Sequence, residues 1–367
     1  MMVSRTVYKK IIKPIFFAFD PEAVHDFVTQ VGSFLGRYSV GRSAIATCFS
    51  YKNKSLTQKL WGLNFQNPVG LAAGFDKDGK LYSLMQSVGF GFSTVGTVTE
   101  GAYEGNPKPR LYRLPKSAGL VVYYGLKNVG AKIITSFLLK KEKNIPQIIS
   151  IGRTNSAAAA TLEAGIEDYY QCFKQFLEAR VGDVYEINIS CPNLFCGEPF
   201  IVEESLRRLL DRLFSLPIKK PVFIKMPINL AWPEFQKLLD VILDFNIQAV
   251  VIGNLNKDRS DPNIKEPIPA NIKGSISGKP TWDLSNNLIS ATYQYCGDKL
   301  KIIGVGGIFS ARDAYEKMKR GASLVELITG LIYEGPQLIG EINRDLAALL
   351  KKDGYKNISE VIGVLNK

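Results

Sequence analysis

From about residue 60 onward, short β-favouring runs alternate with stretches of helical spacing. The runs are "NPVGLAAG" (67–74), "FSTVGTV" (92–98), "QIISIG" (147–152), "VYEINIS" (184–190), "VFIKMP" (222–227), "AVVIGN" (249–254), "KIIGVGG" (301–307) and "LVELITG" (324–330). Eight such runs, mostly with helical patterns between them, predict eight parallel strands and hence a (β/α)8 TIM barrel of the α/β class. Their fairly even spacing favours closure over an open doubly wound sheet. Segments 100–125 and 255–280 are longer than ordinary loops and are expected to fold over the barrel mouth.

The first 36 residues carry a different pattern. "SRTVYKKIIKPIFFAF" places Val7, Ile11, Ile12, Ile15, Phe16 and Phe19 largely on one side, with Lys9, Lys10 and Lys13 elsewhere. "DPEAVHDFVTQVGSFLGR" opens with Asp20 as N-cap and Pro21 at the first helical position. Its apolar residues Val24, Phe27, Val28, Val31 and Leu35 follow helical spacing. Two short amphipathic helices are therefore expected, and the chain divides into a helical extension (1–40) and a barrel domain (41–367).

Composition narrows the function. The 367 residues are 46% hydrophobic, enough for one large core. No run of about 18 uncharged apolar residues is present to span a bilayer, and the N-terminus lacks a secretory pattern. The net charge is +12, and residues 1–60 hold nine Lys/Arg against three acids. An apolar, aromatic face beside lysines is the pattern of a helix lying on an anionic membrane. The alternative is plain packing on the barrel; nucleic acid is disfavoured because no recognition motif accompanies the charge. Five cysteines without a C-x-x-C pair indicate reduced thiols rather than a disulfide framework or a zinc site. His25 is the sole histidine. That excludes histidine-ligated metal sites and Ser-His-Asp catalysis elsewhere, leaving Cys, Ser, Tyr, Lys or carboxylates for proton transfer.

In a barrel the C-terminal strand ends build the site. Read in order, they offer Lys77, Thr97, Ser150, Asn188 with Cys191, Lys225, Asn254, Gly306 with Gly307, and Thr329 with Gly330. The glycines of "GVGGIFSARDAYEKM" (304–318) run into a helix that Ser310 is placed to cap, a start suited to a phosphate. Lys225, pointing from the fifth strand into the same space, needs an anion or an electron-rich partner. A phosphorylated cofactor satisfies both. Cys191, in "INISCPN" (187–193), is either a reacting group or a small buried residue at a strand end.

With these residues in place the chain resembles the dihydroorotate dehydrogenase family over nearly its whole length. The motifs that carry the resemblance are "NPVGLAAGFDKDG", "GFSTVGTVTEGAYEGNPKPRLYRL", "EINISCPN", "GSISGKP", "IIGVGGI" and "GASLVELITG". "FDPEAVHDF" is similar to the helical extension of the membrane-associated, quinone-reducing class, where it forms a tunnel from bilayer to flavin. The resemblance implies FMN held by Ala73, Gly74, Lys77, Thr97, Ser150, Asn188, Lys225, Gly278, Gly307 and Thr329. Gly253 and Ile328 occupy two further flavin-side positions. It implies dihydroorotate contacts from Lys77, Asn188, Asn193 and Asn254, a quinone as electron acceptor, and a peripheral location on the cytoplasmic side of a cell or organelle membrane. No metal is implied.

The base falls on Cys191, where the quinone-reducing class normally carries serine and the soluble class cysteine. A thiol, with a reference pKa of about 8.5, accepts a proton with less help than a serine hydroxyl. Lys77 and nearby backbone amides are expected to lower that value further. Cys196 is read as a bystander. The chain departs from the family pattern at Val122 (an asparagine), at Gly253 and Leu255 (hydroxyl residues) and at Ile328 (a tyrosine). These leave open a related, less polar ring substrate, or a flavin-binding membrane partner without turnover. His25 either touches quinone or packs between helices.

Overall fold

In the computed structural model, which describes residues 5–195 and 197–366, eight strands close into one parallel barrel. They are β1 (Val69–Leu71), β2 (Phe92–Val98), β3 (Gln147–Ile151), β4 (Val184–Asn188), β5 (Val222–Met226), β6 (Ala249–Ile252), β7 (Lys301–Val305) and β8 (Ala322–Leu327). Each pairs with its sequence neighbours, and β8 returns to β1. All eight expected runs are present, each within a few residues of its expected bounds.

Side chains alternate across a strand, so residues of one parity share the barrel interior. Phe92, Ile148, Val184, Phe223, Ala249, Val251, Ile303 and Leu324 form the lower interior layer. The hairpin Gln58–Leu60 and Leu63–Phe65 adds Phe65 to it, with Trp61 packed alongside. Two residues further along β2, β4, β5 and β8, the same parity brings in Thr94, Glu186, Lys225 and Glu326, all buried. Another step reaches the mouth. The opposite parity, including Val95, Ile149, Tyr185, Ile187 and Ile224, packs into the main hydrophobic core outside the barrel.

The two long segments do fold over the mouth. Leu111–Leu114, Gly119–Val122 and Ser275–Gly278 form an antiparallel three-stranded sheet there. Arg113 joins this sheet to the extension. Its guanidinium donates to the carbonyls of Phe16 and Phe19 at 3.0 and 2.7 Å, satisfying the C-terminal end of helix α1 (Lys13–Ala18).

The extension is helical over residues 5–18, with Tyr8–Ile12 wound as a π-helix, and continues in α2 (Pro21–Arg37). The Asp20 carboxylate accepts from the Ala23 amide at 2.9 Å, the expected N-cap. A third helix, α3 (Ser39–Phe49), follows, which periodicity had not placed. The extension's apolar residues occupy two faces, not one. Val7, Ile11, Ile15 and Phe19, then Phe27, Val31, Phe34 and Tyr38, are exposed, while Ile12, Phe16, Val24 and Val28 line a cavity that Phe27 and Val31 also border. Among the described residues no helix is long and apolar enough to cross a membrane.

Candidate active site

Three cavities follow one another from the extension into the barrel mouth. The outermost, about 380 Å³, is almost wholly apolar and lies between the extension and the barrel; its few polar side chains include Tyr8, His25 and Arg113. It shares His25, Phe75, Leu111, Leu120 and Ile332 with a central chamber of about 170 Å³. The central chamber in turn shares Ala73, Lys225, Asn254, Ser277, Ile328 and Thr329 with an inner one of about 90 Å³. Every residue nominated from sequence lines the central or inner chamber except Ser150. Ser150 is fully buried behind the wall, its hydroxyl 2.9 Å from that of Thr97.

One chain of hydrogen bonds links the ends of β2, β3 and β4. Asn188 donates through Nδ2 to Thr97 Oγ1 at 2.8 Å, and its Oδ1 accepts the Ser190 amide and hydroxyl at 3.2 Å each. Asn254 Nδ2 donates to the Ser190 carbonyl at 2.6 Å. Asn193 Nδ2 donates to the carbonyl of Val122 in the lid sheet at 2.9 Å. The asparagine side chains are thereby fixed in orientation at the wall, which is what preorganised recognition of a polar ring requires.

Burial sets the charges. Lys77 lies with its amine 3.9 Å from the centre of the Tyr124 ring. Desolvation pulls its pKa down to about 8, against the pull of Asp26. Cys191 departs from expectation: burial pushes its thiol up to about 12. The Asn193 backbone amide, Lys225 and Arg153 favour the thiolate but do not offset that desolvation. In the layer below, burial first and then Glu186 push Glu326 up to about 8, while Thr94 donates to Glu326 at 2.6 Å. Both Glu186 carboxylate oxygens lack a hydrogen-bond partner among the described residues. Two carboxyls sharing a dry layer cannot both ionise cheaply.

The inner chamber has a floor of bare backbone. Gly306 and Gly307 take φ of +104° and +70°, conformations that L side chains rarely adopt. A Cβ on Gly307 would also lie 2.9 Å from Trp282 Cβ. Directly beyond, Ser310 caps the helix Ala311–Lys319 by accepting from the Asp313 amide at 3.3 Å. On the far wall the hydroxyls of Ser277 and Thr329 sit 2.9 Å apart.

Sequence reasoning had not singled out Ser277, Tyr124 or the Glu186–Glu326 pair. Ser277 stood inside the quoted "GSISGKP", but the carboxyls read as ordinary strand residues until closure faced them together. Cys196 lies outside the described residues.

Fold and site together define a (β/α)8-barrel enzyme whose mouth holds a chamber with a lysine and three asparagines in its wall, reached by an apolar cavity under a helical extension. A family model described as Dihydroorotate dehydrogenase matches residues 55–350. Curated relatives named "Dihydroorotate dehydrogenase (quinone)" include one from Trichodesmium erythraeum (strain IMS101), 35% identical over 98% of this chain and 99% of its own. Another, from Nostoc punctiforme (strain ATCC 29133 / PCC 73102), is 34% identical over 98% of each. A crystal structure of DHODH from Eimeria tenella in complex with ferulenol superposes with a TM-score of 0.82 at 25% identity, covering 95% of this chain and 96% of that one. The chain belongs to the dihydroorotate dehydrogenase family.

Proposed function

We propose that this protein is an FMN-dependent oxidoreductase that oxidises dihydroorotate to orotate for pyrimidine biosynthesis and passes the electrons to a quinone at a membrane surface. The observation that carries the reading is the joining, at His25 and its neighbours, of an almost wholly apolar cavity to a chamber that carries Lys77, Asn188, Asn193 and Asn254. One opening suits a lipid-soluble acceptor, the other a charged ring.

The residues fit FMN. The Gly306–Gly307 turn and the capped helix beyond it suit a phosphate, and Lys225, only 5% exposed, lines the same chamber. Ala73, Gly74, Thr97, Gly253, Gly278, Ile328 and Thr329 would hold the remainder, with Ser150 bracing Thr97. Bound FMN supplies a two-electron acceptor that a quinone reoxidises. Lys77 would pair with the substrate carboxylate, and Asn188, Asn193 and Asn254 would orient the ring. Cys191 would take the proton from ring C5. Arg113, whose buried Nε has no hydrogen-bond partner among the described residues, is a polar group of the outer cavity that would meet a quinone carbonyl. The His25 ring already has Nε2 2.9 Å from the Phe75 carbonyl and Nδ1 3.2 Å from Asp26 Oδ1, so it would reach a quinone only by giving one of these up.

Residues 1–40 serve in this reading as the tunnel and membrane extension, and 41–367 as the FMN-binding barrel. Two exposed stripes support attachment, Val7-Ile11-Ile15-Phe19 and Phe27-Val31-Phe34-Tyr38, each running along its helix at three- or four-residue spacing. The chain would thus be peripheral, on the cytoplasmic side.

The deciding experiment mixes the FMN-loaded protein with dihydroorotate without oxygen and follows flavin absorbance. Rapid bleaching is expected. Bleaching only by less polar rings would transfer the activity to another substrate, in keeping with Val122, Leu126 and Leu255 in the chamber wall. No bleaching by any ring would reduce the protein to a flavin-binding partner.

A further inference from the structure

A fourth cavity, of about 360 Å³, lies away from the active site where the extension meets the barrel helices. Gly36 and Arg37 enter it from the end of α2, Arg42 from α3, and Ser83 from the helix Tyr82–Val88. Phe137, Lys140, Lys141 and Glu142 come from the end of the helix Ala131–Leu138 and the loop after it. Its charge is one-sided, with four cations against a single carboxylate.

The bland explanation is that cations gather there because two helices end there. Each helix C-terminus is equivalent to about half a negative charge, so two ends amount to about one. With Glu142 the negative side totals about two, against four positive charges. The excess is real. Arg42 is partly committed, donating to the Gly36 carbonyl at 3.0 Å and to Glu142 at 3.2 Å. Lys141 lies over the Phe137 ring, 4.6 Å from its centre. Arg37 and Lys140 are exposed and have no ion-pair partner among the described residues. Cations set around a concavity, two of them uncommitted, match an oxyanion with several acceptor oxygens.

The surroundings identify its source. The exposed stripe of α2 ends at Phe34 and Tyr38, whose rings lie 5.4 Å apart, and Val40 beyond them is 80% exposed. Across the cavity, Leu139, the chain neighbour of the lining residue Lys140, is 62% exposed. A basic hollow with apolar side chains on both rims has the layout of a lipid: charged head, apolar tails. A free phosphate needs no such rim.

We infer that the cavity formed by Arg37, Arg42, Lys140 and Lys141 binds the headgroup phosphate of an anionic phospholipid, docking the apolar stripe of α2 into the same leaflet. The inference rests on the membrane attachment proposed above. It fixes the orientation of the protein on the bilayer, with the end of α2 and the loop after residue 138 both at the headgroup level.

The test measures co-sedimentation of the full-length, FMN-loaded protein with vesicles of phosphatidylcholine, with and without phosphatidylglycerol. An Arg37→Gln/Lys140→Gln variant is compared with Lys219→Gln/Lys299→Gln. This control removes two exposed lysines that precede β5 and β7, at the end of the barrel away from the mouth. Near an anionic surface each basic side chain is worth about 1 kcal/mol, or about fivefold, so the first variant should partition about 30-fold more weakly onto phosphatidylglycerol vesicles. The control should lose less than about threefold. Both should bleach with dihydroorotate at the wild-type rate. Equal losses in the two variants would overturn the site while leaving membrane attachment intact. A wild type that ignores phosphatidylglycerol vesicles would remove the membrane reading and this inference with it. Inorganic phosphate that binds the wild type but not the Arg37→Gln/Lys140→Gln variant, with vesicle binding of that variant unchanged, would make the cavity a soluble-anion site and overturn the lipid assignment.

Discussion

At the scale of single residues, Cys191 is the proposed base. Its thiol, pushed up to about 12 by burial, is neutral at pH 7, so its reactive fraction grows as pH rises toward that value. Flavin reduction at saturating dihydroorotate should therefore accelerate across pH 7–10 without a plateau, as stopped-flow absorbance would record. Cys191→Ala should retain FMN but slow that step by at least ~10², and Cys191→Ser should keep partial activity with its rise moved to higher pH. Wild-type reduction by the alanine variant would remove the thiol from the chemistry. Lys77 titrates in the opposite sense for binding: above about pH 8 it loses its charge, so affinity for the dihydroorotate carboxylate should weaken while the reduction step still speeds up. Measuring the two separately against pH distinguishes the residues. Lys225→Ala should purify largely without FMN, which the visible spectrum reads directly.

Glu326 makes a prediction about stability. Its folded-state pKa of about 8 lies above the unfolded value, so the unfolded chain releases the proton first as pH rises. Its contribution is complete below about pH 4 and is lost progressively up to about pH 8. Glu326→Gln cannot ionise, and its melting temperature should fall less than that of the wild type between pH 5 and 8. Identical pH profiles would show that the carboxyl is not held protonated.

At the scale of elements, α2 exposes one apolar face and packs another against the sheet over the mouth. Glu22, buried in its first turn, accepts at 2.9 Å from Arg110, on the segment that folds over the mouth, and at 3.1 Å from Lys127, just beyond that segment. Burial pushes this carboxyl up, but the two hydrogen bonds and charges outweigh it and hold its pKa below the usual value. Glu22→Ala would leave Arg110, whose side chain is 12% exposed, without its counter-ion. A buried cation stripped of its partner is costly, so the variant should unfold at lower denaturant by about 1–3 kcal/mol. Deleting residues 1–36 removes one wall of the outer cavity but none of the glycine floor. The truncated barrel should still bleach with substrate and reduce quinones poorly, and unchanged quinone turnover would separate the cavity from that step. The helices themselves were legible because Asp20, Pro21 and the apolar spacing are local signals. Which apolar residues face water was not, since the sequence gives a helix two candidate faces when its apolar arc is wide.

For the whole molecule, the barrel was readable from its eight runs, because a parallel strand covered by helices must be apolar over a short stretch and the pattern repeats. The strand-end rule then named the mouth residues without knowledge of any side-chain position. What the chain could not announce by itself is whatever depends on closure. Thr97, Ser150 and Asn188 are 53 and 38 residues apart in succession, and only the β2–β3–β4 register puts their polar atoms within hydrogen-bond reach. Glu186 and Glu326 face one another because equal parity on distant strands points into one interior. The Cys191 pKa is set by how much water the folded lid and loop exclude, a property of the assembled volume rather than of any motif. Sequence determined the eight barrel strands, their order, the first extension helices and the residues at the strand ends, since these follow from local periodicity and chain connectivity; the helix Ser39–Phe49 and the sheet over the mouth carry no such periodic signal. Tertiary structure alone decided which groups are dry, which are paired and which surface remains apolar, because desolvation and contact depend on every neighbour at once.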